Sequence, residues 1–162
     1  MMNVKLLSAK DWEYWKQLRL GALKDSPTSF SSSFEEESNC SDTKFQEDLI
    51  KNNVFGTFVD CKLVACAGFY SLNFMKVKHR GILWGTYTKP EYRRHGMASS
   101  IIKTIVIHAK NHVKQLHLTC VTINTSAIAL YQKQEFKIYG TEPNSLRVGD
   151  RFFDEHLMVL AF

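Results

Sequence analysis

The stretch that most constrains the fold runs over residues 84–110, where a strand, a basic turn and a helix are predicted in succession. Residues 82–88 form an apolar run typical of a strand, and the Lys-Pro-Glu sequence at 89–91 ends it. A basic turn follows at 93–98, and apolar residues then recur at helical spacing. The helix is therefore predicted to begin directly after a glycine-containing turn that leaves a strand.

The turn between this strand and this helix is suited to binding an anion. The first amides of a helix have no partners within the helix, and the helix dipole adds positive charge at the same point. Gly96 lets the main chain approach a ligand closely, while Arg93, Arg94 and His95 add donors and charge. These residues predict a phosphate site, although an ordinary strand-to-helix turn with solvated arginines has the same pattern.

Two linked motifs in this chain resemble those of a known family. Arg93-x-x-Gly96-x-Ala98 after a strand resembles the pyrophosphate loop of the GNAT superfamily, the acetyl-CoA-dependent N-acetyltransferases. The segment 124–136 is similar to this family's Asn-x-x-Ala-x-x-Leu-Tyr-x-x-x-Gly-Phe pattern, and it follows a predicted strand at 116–121. Two motifs in this order are more specific than either alone, and with the order of elements the resemblance covers nearly the whole chain.

The order of predicted elements is βααβββαβαββ, an α+β domain in α/β/α layers with a central mixed sheet of seven strands, the order of the GNAT fold. A single domain is expected over residues 1–162. Strands are predicted at 4–7, 54–60, 63–74, 81–88, 116–121, 136–141 and 152–160, and helices from about 11 to 24 and at 43–51, 98–110 and 125–134.

The resemblance implies that acetyl-CoA is the cosubstrate. It implies that the strands at 81–88 and 116–121 diverge at their C-terminal ends, and that the pantetheine arm lies between them and bonds to the main chain around Tyr87 and Thr88. The pyrophosphate would lie on the amides of residues 94–99, and Asn124 would contact pantetheine or fix the adjoining helix. The cofactor-binding residues expected on this basis are Tyr87, Thr88, Arg93, Arg94, His95, Gly96, Met97, Ala98, Ser99 and Asn124.

Tyr131 is the expected catalytic residue, because it matches the position of the family's general-acid tyrosine, which faces the thioester sulfur. A phenol is neutral at physiological pH and donates one O–H, so it suits a developing thiolate. Backbone N–H groups near Tyr87 are expected to stabilise the thioester oxygen as it becomes negative. From the residues alone, a core tyrosine packed beside Leu130 has the same pattern.

The early acidic segment offers candidate contacts to the acceptor. Glu35 and Glu36 belong to a run of three carboxylates that would attract a cationic amine, and neighbouring Phe34 leaves room for an apolar group. The same run is typical of a solvated face, of a loop, or of a helix start at the glutamates. The base that deprotonates the amine is not identified; the candidates are a chain of waters and Glu35, Glu36, Glu37, His79, Asp154 and Glu155.

Two residues depart from the family's pattern. Glu135 replaces the Gly expected before Phe136, which would cost on the order of 1 kcal/mol if that position is left-handed. His95 stands where Gly or Lys is common, and it would make phosphate affinity depend on pH below about 7.

Composition excludes several other classes of protein. The net charge is +5, but the basic residues are spread along the chain without a basic tail or stripe, so nucleic-acid binding is not expected. No apolar run is long enough to cross a membrane, and no metal-binding spacing is present, so neither a membrane span nor a metal site is expected. Four scattered cysteines and no recognisable signal sequence indicate a cytoplasmic protein.

The sequence thus predicts an N-acetyltransferase that moves an acetyl group from acetyl-CoA to the primary amine of a small molecule or a peptide. Transfer of another acyl group is an alternative within the class. A non-catalytic acyl-CoA sensor is an alternative outside it, which would keep the loop at 93–99 and tolerate loss of Tyr131. A homodimer is also compatible with the chain, because many relatives pair through their last strands and residues 157–162 are apolar.

Overall fold

Seven strands form one mixed sheet with the spatial order β1-β2-β3-β4-β5-β7-β6 in a computed structural model that describes residues 2–162. Only β4 and β5 are parallel neighbours; all other neighbouring strands in the described chain are antiparallel. The strands are β1 (Val4–Leu6), β2 (Asn53–Val59), β3 (Lys62–Ser71), β4 (Arg80–Thr88), β5 (Gln115–Val121), β6 (Lys137–Val148) and β7 (Arg151–Ala161).

Five α-helices accompany the sheet: α1 (Trp12–Asp25), α2 (Phe34–Ser38), α3 (Asp42–Lys51), α4 (Met97–Ala109) and α5 (Thr125–Lys133). The predicted α+β class is confirmed, with one short helix, α2, in addition to the two expected before β2. It begins at the three glutamates because Ser33 and Glu36 form a reciprocal capping box, in which each side chain accepts the other's backbone N–H. None of these helices is long and apolar enough to span a membrane.

The sheet buries apolar side chains on both faces. On one face, α4 contributes Ile101, Ile102 and Ile105, all fully buried, because their spacing places them on one side of the helix. On the other face, α1 contributes Trp15 and Leu18. Two buried faces fix the strand register, and with it the ends of β4 and β5.

The parallel pairing of β4 and β5 is short. It joins Arg80–Ile82 to residues 115–117 and then stops, although β4 continues to Thr88 and β5 to Val121. Beyond this point β4 remains bonded to β3 across a bulge in which Gly85 has a φ of +64°, a conformation that glycine adopts at little cost. The two parallel strands therefore diverge towards their C-terminal ends.

The strand predicted at 136–141 is longer in the structure. It runs on through Pro143, Asn144 and Ser145, so that β6 ends at Val148. The pairing with β7 shifts register between Glu142 and Leu146, and the Asn144 amide there bonds to a side chain, Asp154, instead of the ladder. Pro143, which has no N–H to donate, is accommodated within this irregular stretch.

The C-terminus of α5 is closed by a Schellman motif centred on Glu135. The Phe136 amide donates to the Tyr131 carbonyl at 3.1 Å, and the Glu135 amide donates to the Gln132 carbonyl at 2.9 Å. Glu135 has a φ of +69°, the left-handed conformation for which the family's pattern has glycine. The motif also packs the Phe136 ring against Tyr131, with centroids 6.0 Å apart. A strained glutamate thus lies next to the turn that holds Tyr131.

We expect Glu135→Gly to raise the free energy of unfolding by about 1 kcal/mol, because glycine adopts a positive φ without the steric cost of a Cβ. Chemical denaturation monitored by circular dichroism would measure the change. Glu135→Ala is the matched control: it removes the same carboxylate but keeps the Cβ, so its stability should not rise. Equal stabilisation by both substitutions would mean that the charge of Glu135, and not its backbone conformation, is unfavourable.

Candidate active site

A cavity of about 870 Å³ opens where β4 and β5 diverge. The end of β4 and the end of β5 form its sides, and α5 covers one of them. The turn before α4 and the first residues of α4 form one end, and residues 25–30, from the end of α1 onwards, form a further wall. We refer to this cavity as the cleft.

The first turn of α4 presents unpaired main-chain donors to the cleft. Gly96 is the N-cap and has no side chain to satisfy them, and the first helical hydrogen bond is made by the Ser100 amide to the Gly96 carbonyl. The amides of Met97, Ala98 and Ser99 therefore have no helical acceptor. Gly96 has a φ of +76°, which is available to glycine without strain. This arrangement is an anion site of the kind predicted from the sequence.

The side of β4 that faces the gap also carries polar groups without partners. The hydroxyls of Thr86 and Thr88 are buried and have no hydrogen-bond partner among the described residues. The main chain of β4 has no β5 partner after Ile82. Because buried polar groups in proteins are normally satisfied, these groups fit an extended polar ligand lying between the strands. The Thr88 carbonyl is already occupied, since it accepts from Nε of Arg93 at 2.9 Å.

Tyr131 is a buried residue in the α5 wall of the cleft. Burial raises its pKa to about 12, although the neighbouring Thr86 hydroxyl acts in the opposite direction. The two hydroxyls are close but do not meet the geometry of a hydrogen bond, since Thr86 remains without a partner. The phenol is therefore neutral and keeps its proton across the physiological range.

Asp25, the last residue of α1, bonds both to the end of β4 and to the turn before α4. Its Oδ2 accepts from the Tyr87 hydroxyl at 3.1 Å and from Nη2 of Arg93 at 2.6 Å. Burial alone would raise the pKa of Asp25, but the hydrogen bonds from Arg93 and Tyr87 outweigh it and hold the pKa below its usual range. On the other side of the contact, burial and the bond to Asp25 raise the pKa of Tyr87 to about 12.

Comparison with known proteins identifies the family. A family model described as "Acetyltransferase (GNAT) family" matches residues 15–136, well over half of the chain. The chain belongs to the GNAT acetyltransferase family. It is therefore an acyltransferase, and the fold and enzyme class predicted from the sequence are confirmed. A search of curated protein sequences finds no match.

Solved structures share the GNAT fold over essentially the whole chain. An acetyltransferase of the GNAT family from Streptococcus pneumoniae superposes with a TM-score of 0.85 at 19% identity, covering 100% of both chains. The protein yncA of Salmonella typhimurium, solved with its cofactor acetyl-CoA, has a TM-score of 0.85 at 12% identity, covering 99% of this chain and 94% of that one. The ribosomal-protein-S18-alanine N-acetyltransferase of Escherichia coli has a TM-score of 0.75 at 18% identity, with coverage of 99% and 94%.

Most of the cofactor-binding residues that the GNAT resemblance implied, and the expected catalytic residue, lie together in the cleft. The ones that line it are Tyr87, Thr88, Arg93, Arg94, Gly96, Met97, Ala98, Ser99, Asn124 and Tyr131. His95 does not line it; its ring is exposed, with Nδ1 3.3 Å from the Tyr92 carbonyl. Asn124 caps α5, because its side-chain oxygen accepts from the Ala127 amide at 3.2 Å.

The three expected acceptor contacts lie outside the residues that line the cleft. Glu35 is exposed, and Glu36 is engaged in the capping box of α2. Phe34 is partly buried against the α1 side of the core, beneath Nζ of Lys24. One wall of the cleft is instead built from residues 25–30, which carry no motif that marks them as part of a site. Among the described residues, no group of three or more His, Cys, Asp or Glu side chains could hold a metal ion.

Arg19 anchors this wall. Its guanidinium is buried and forms a two-pronged contact with Glu37, with Nε and Nη2 at 2.9 and 2.8 Å from the two carboxylate oxygens. It also stacks near the rings of Phe30 and Trp84, at 5.0 and 5.6 Å from their centroids. Glu37 of α2 thereby neutralises the guanidinium charge of Arg19, which would otherwise be buried without a counter-ion.

We expect Glu37→Ala to lower the free energy of unfolding by about 3 kcal/mol, because it leaves the buried guanidinium of Arg19 without its anion. Urea denaturation would measure the loss. The control is Glu47→Ala, which breaks the exposed pair with Lys51 on α3 and should cost less than about 1 kcal/mol. Similar losses for both variants would show that the Arg19 charge is adequately solvated without Glu37.

Proposed function

We propose that this GNAT enzyme transfers an acetyl group from acetyl-CoA to a primary amine, by direct attack of the amine on the thioester. The observation that carries the proposal is the gap between β4 and β5, which has helical amides at one end and a buried, neutral tyrosine in its wall. The domain that does this would comprise residues 1–162. Its acceptor would be a small-molecule or peptide amine, and a homodimer stays a prediction.

The cofactor site follows from the unpartnered groups of the cleft. The amides of residues 94–99 would bind the pyrophosphate, with added charge from Arg94. The exposed edge of β4 from Thr86 to Thr88 would hydrogen-bond the pantetheine arm. Acetyl-CoA supplies the activated thioester, and the yncA structure, which contains acetyl-CoA, has the same fold. Asn124 is assigned to fixing α5 at this site, since its side chain caps that helix.

The chain's own groups would carry out three tasks in acyl transfer. Backbone N–H groups of β4 near Tyr87 stabilise negative charge on the carbonyl oxygen. Tyr131 donates its proton to the departing thiolate sulfur, for which a phenol that stays protonated is suited. None of the side chains named from the sequence as candidate bases lines the cleft, and Asp25, the carboxylate that does, is paired with Arg93 and Tyr87, so we assign deprotonation of the amine to water.

The sequence left two alternatives open, a non-catalytic acyl-CoA sensor and transfer of another acyl group. A non-catalytic sensor would need the anion site but no proton donor, so the presence of Tyr131 in the same cleft favours an enzyme. A different acyl group would bind in the same manner, and comparing acyl-CoA thioesters under identical conditions would identify the preferred donor. Two structural neighbours are named as N-acetyltransferases of ribosomal-protein alanine, so a peptide N-terminus belongs in any acceptor panel.

Tyr131→Phe should lower kcat by about 100-fold, because it removes the proton donor to the leaving thiolate while keeping the ring. The affinity for acetyl-CoA, measured by isothermal titration calorimetry, should change by less than about twofold, since the phosphate and pantetheine contacts remain. Thiol release would be followed at saturating acetyl-CoA with the best amine from the panel.

The matched control is Tyr139→Phe, which removes an exposed hydroxyl outside the cleft and should leave kcat unchanged. Unchanged turnover in Tyr131→Phe would remove the general-acid assignment. Failure of the wild-type protein to bind acetyl-CoA would overturn the proposed function itself.

The raised pKa of Tyr131 predicts the alkaline side of the pH profile. The general acid is active when protonated, so raising its pKa from the ordinary value of about 10 to about 12 extends activity to higher pH. With saturating substrates, kcat should show no loss from Tyr131 ionisation below about pH 10. A decline with an apparent pKa near 9, present in the wild type and absent from Tyr131→Phe, would contradict this.

A further inference from the structure

The loop between β3 and β4 exposes two large apolar side chains at its tip. Phe74 is 84% exposed and Met75 is 83% exposed, more than any other large hydrophobic side chain in the described part of the chain. The loop leads into Arg80, the first residue of β4, whereas the cleft opens beside the last residues of that strand. Two adjacent apolar side chains exposed to this degree are typical of a surface that contacts another phase or molecule.

Hydrogen bonds within the loop hold this tip in place. The Val77 amide donates to the Phe74 carbonyl at 2.9 Å, and the Arg80 amide donates to the Val77 carbonyl at 2.9 Å. At the base of the loop, the Leu72 amide donates to the Arg80 carbonyl at 3.0 Å. Because the main chain is already ordered, a contact made by the tip does not first have to order the loop.

Basic side chains surround the tip because the fold brings two segments of the chain together. The His79 carbonyl accepts from the amides of Lys114 and Gln115, at 2.7 and 3.1 Å, and this joins the loop to the turn between α4 and β5. A shallow pocket of about 290 Å³ lies at the junction, and its basic lining residues are Lys78, His79, Lys110, His112 and Lys114. We refer to residues 72–80 and 110–114 together as the basic edge.

The charge of the basic edge is not compensated within the described chain. Its lysines take part in none of the ion pairs among the described residues; these lysines are Lys76, Lys78, Lys110 and Lys114. Residues 61–134 contain eleven Lys and Arg residues but a single acidic residue, Glu91, which follows β4 at the cleft end. An exposed surface with this excess of positive charge attracts an anionic partner.

We propose that the basic edge docks this enzyme on the surface of an anionic phospholipid bilayer. Phe74 and Met75 enter the boundary between headgroups and acyl chains, and the lysines lie against the lipid phosphates. A bilayer offers an apolar phase directly beneath a layer of negative charge, which matches an apolar tip surrounded by lysines. Nucleic acid would match the lysines, but its bases stack on flat rings and would leave Met75 in water.

Docking through the basic edge leaves the cleft accessible. β4 has nine residues, and at a rise of about 3.3 Å per residue its two ends lie about 26 Å apart. A bilayer beyond the Arg80 end is therefore remote from the phosphate turn at the other end. Membrane binding does not depend on the proposed function, and the two can be measured separately in the same variants.

Co-sedimentation of the 162-residue chain with lipid vesicles tests the inference. Vesicles of phosphatidylcholine alone are compared with vesicles of equal parts phosphatidylcholine and phosphatidylglycerol. The wild type should bind the anionic vesicles at least about tenfold more tightly, because only these attract the lysines. Binding should weaken as salt is added, since salt screens exposed charges.

Two double variants separate the apolar and the charged parts of the surface. Phe74→Ser/Met75→Ser should weaken binding to anionic vesicles by about tenfold or more, because it removes the inserted apolar area and keeps every charge. Lys78→Gln/Lys114→Gln should weaken binding by about 25-fold, since each lysine near an anionic surface contributes about fivefold.

Matched controls change the same kinds of side chain elsewhere. Lys10→Gln/Lys62→Gln removes two exposed lysines outside the basic edge and should weaken binding by less than about threefold. Phe152→Ser removes a ring that is 57% exposed in β7 and should leave binding unchanged. All of these variants should keep the wild-type circular dichroism spectrum and affinity for acetyl-CoA, because none of the changed residues lines the cleft.

Three results would overturn the inference and leave the proposed function intact. The first is that the wild type does not bind anionic vesicles, and the second is that it binds phosphatidylcholine vesicles equally well. The third is that Phe74→Ser/Met75→Ser binds like the wild type and that single-stranded RNA competes with the vesicles. That result would identify the basic edge as a general polyanion site instead of a membrane-docking surface.

Discussion

The hydrogen bonding between β4 and β5 determines the rest of the site, because it stops while both strands continue. Each strand keeps its outer neighbour, β3 for β4 and β7 for β5, so the sheet stays intact while a gap opens inside it. An unmade main-chain hydrogen bond in a buried setting costs about 1 kcal/mol or more. A fold that leaves several such groups facing each other is therefore expected to supply them with a ligand, and the family's extended thioester is chemically suited to that role.

Positive φ values surround this gap and keep it open. Gly85 creates the bulge that turns the end of β4, and Gly96 ends the turn that aims α4 at the cleft. Arg94, between them, has a φ of +64°, which costs a non-glycine residue about 1 kcal/mol. Strain of this kind persists where the surrounding structure enforces it. Here the packing of the buried side of α4 in the core fixes the turn.

Local patterns predicted the elements and the phosphate end of the cleft well, since both depend on residues close together in the chain. The left-handed position of Glu135 could be anticipated for the same reason, because the motif places a glycine there. The wall formed by residues 25–30 could not be predicted. Asp25 meets Tyr87 and Arg93 across 62 and 68 residues, and nothing in the local sequence distinguishes it from an ordinary helix end.

The three adjacent glutamates illustrate the same limit within a single turn of helix. Glu35 is exposed, Glu36 caps α2, and Glu37 neutralises the buried Arg19. The Ser33-x-x-Glu36 spacing is typical of a capping box, but the partner of Glu37 depends on how α2 packs against α1. Acidic residues in one run can therefore serve three separate purposes, and none of these brings a carboxylate into the cleft.

Helix α1 connects these observations. Arg19, on the buried face of α1, is bound by Glu37. Asp25, the last residue of α1, is bound by Tyr87 and Arg93. The segment that follows α1 is consequently fixed at both of its ends, to α2 and to the turn that precedes α4. Because Arg93 belongs to the turn before α4, this ion pair holds the end of α1 and the amides of that turn in fixed relative positions.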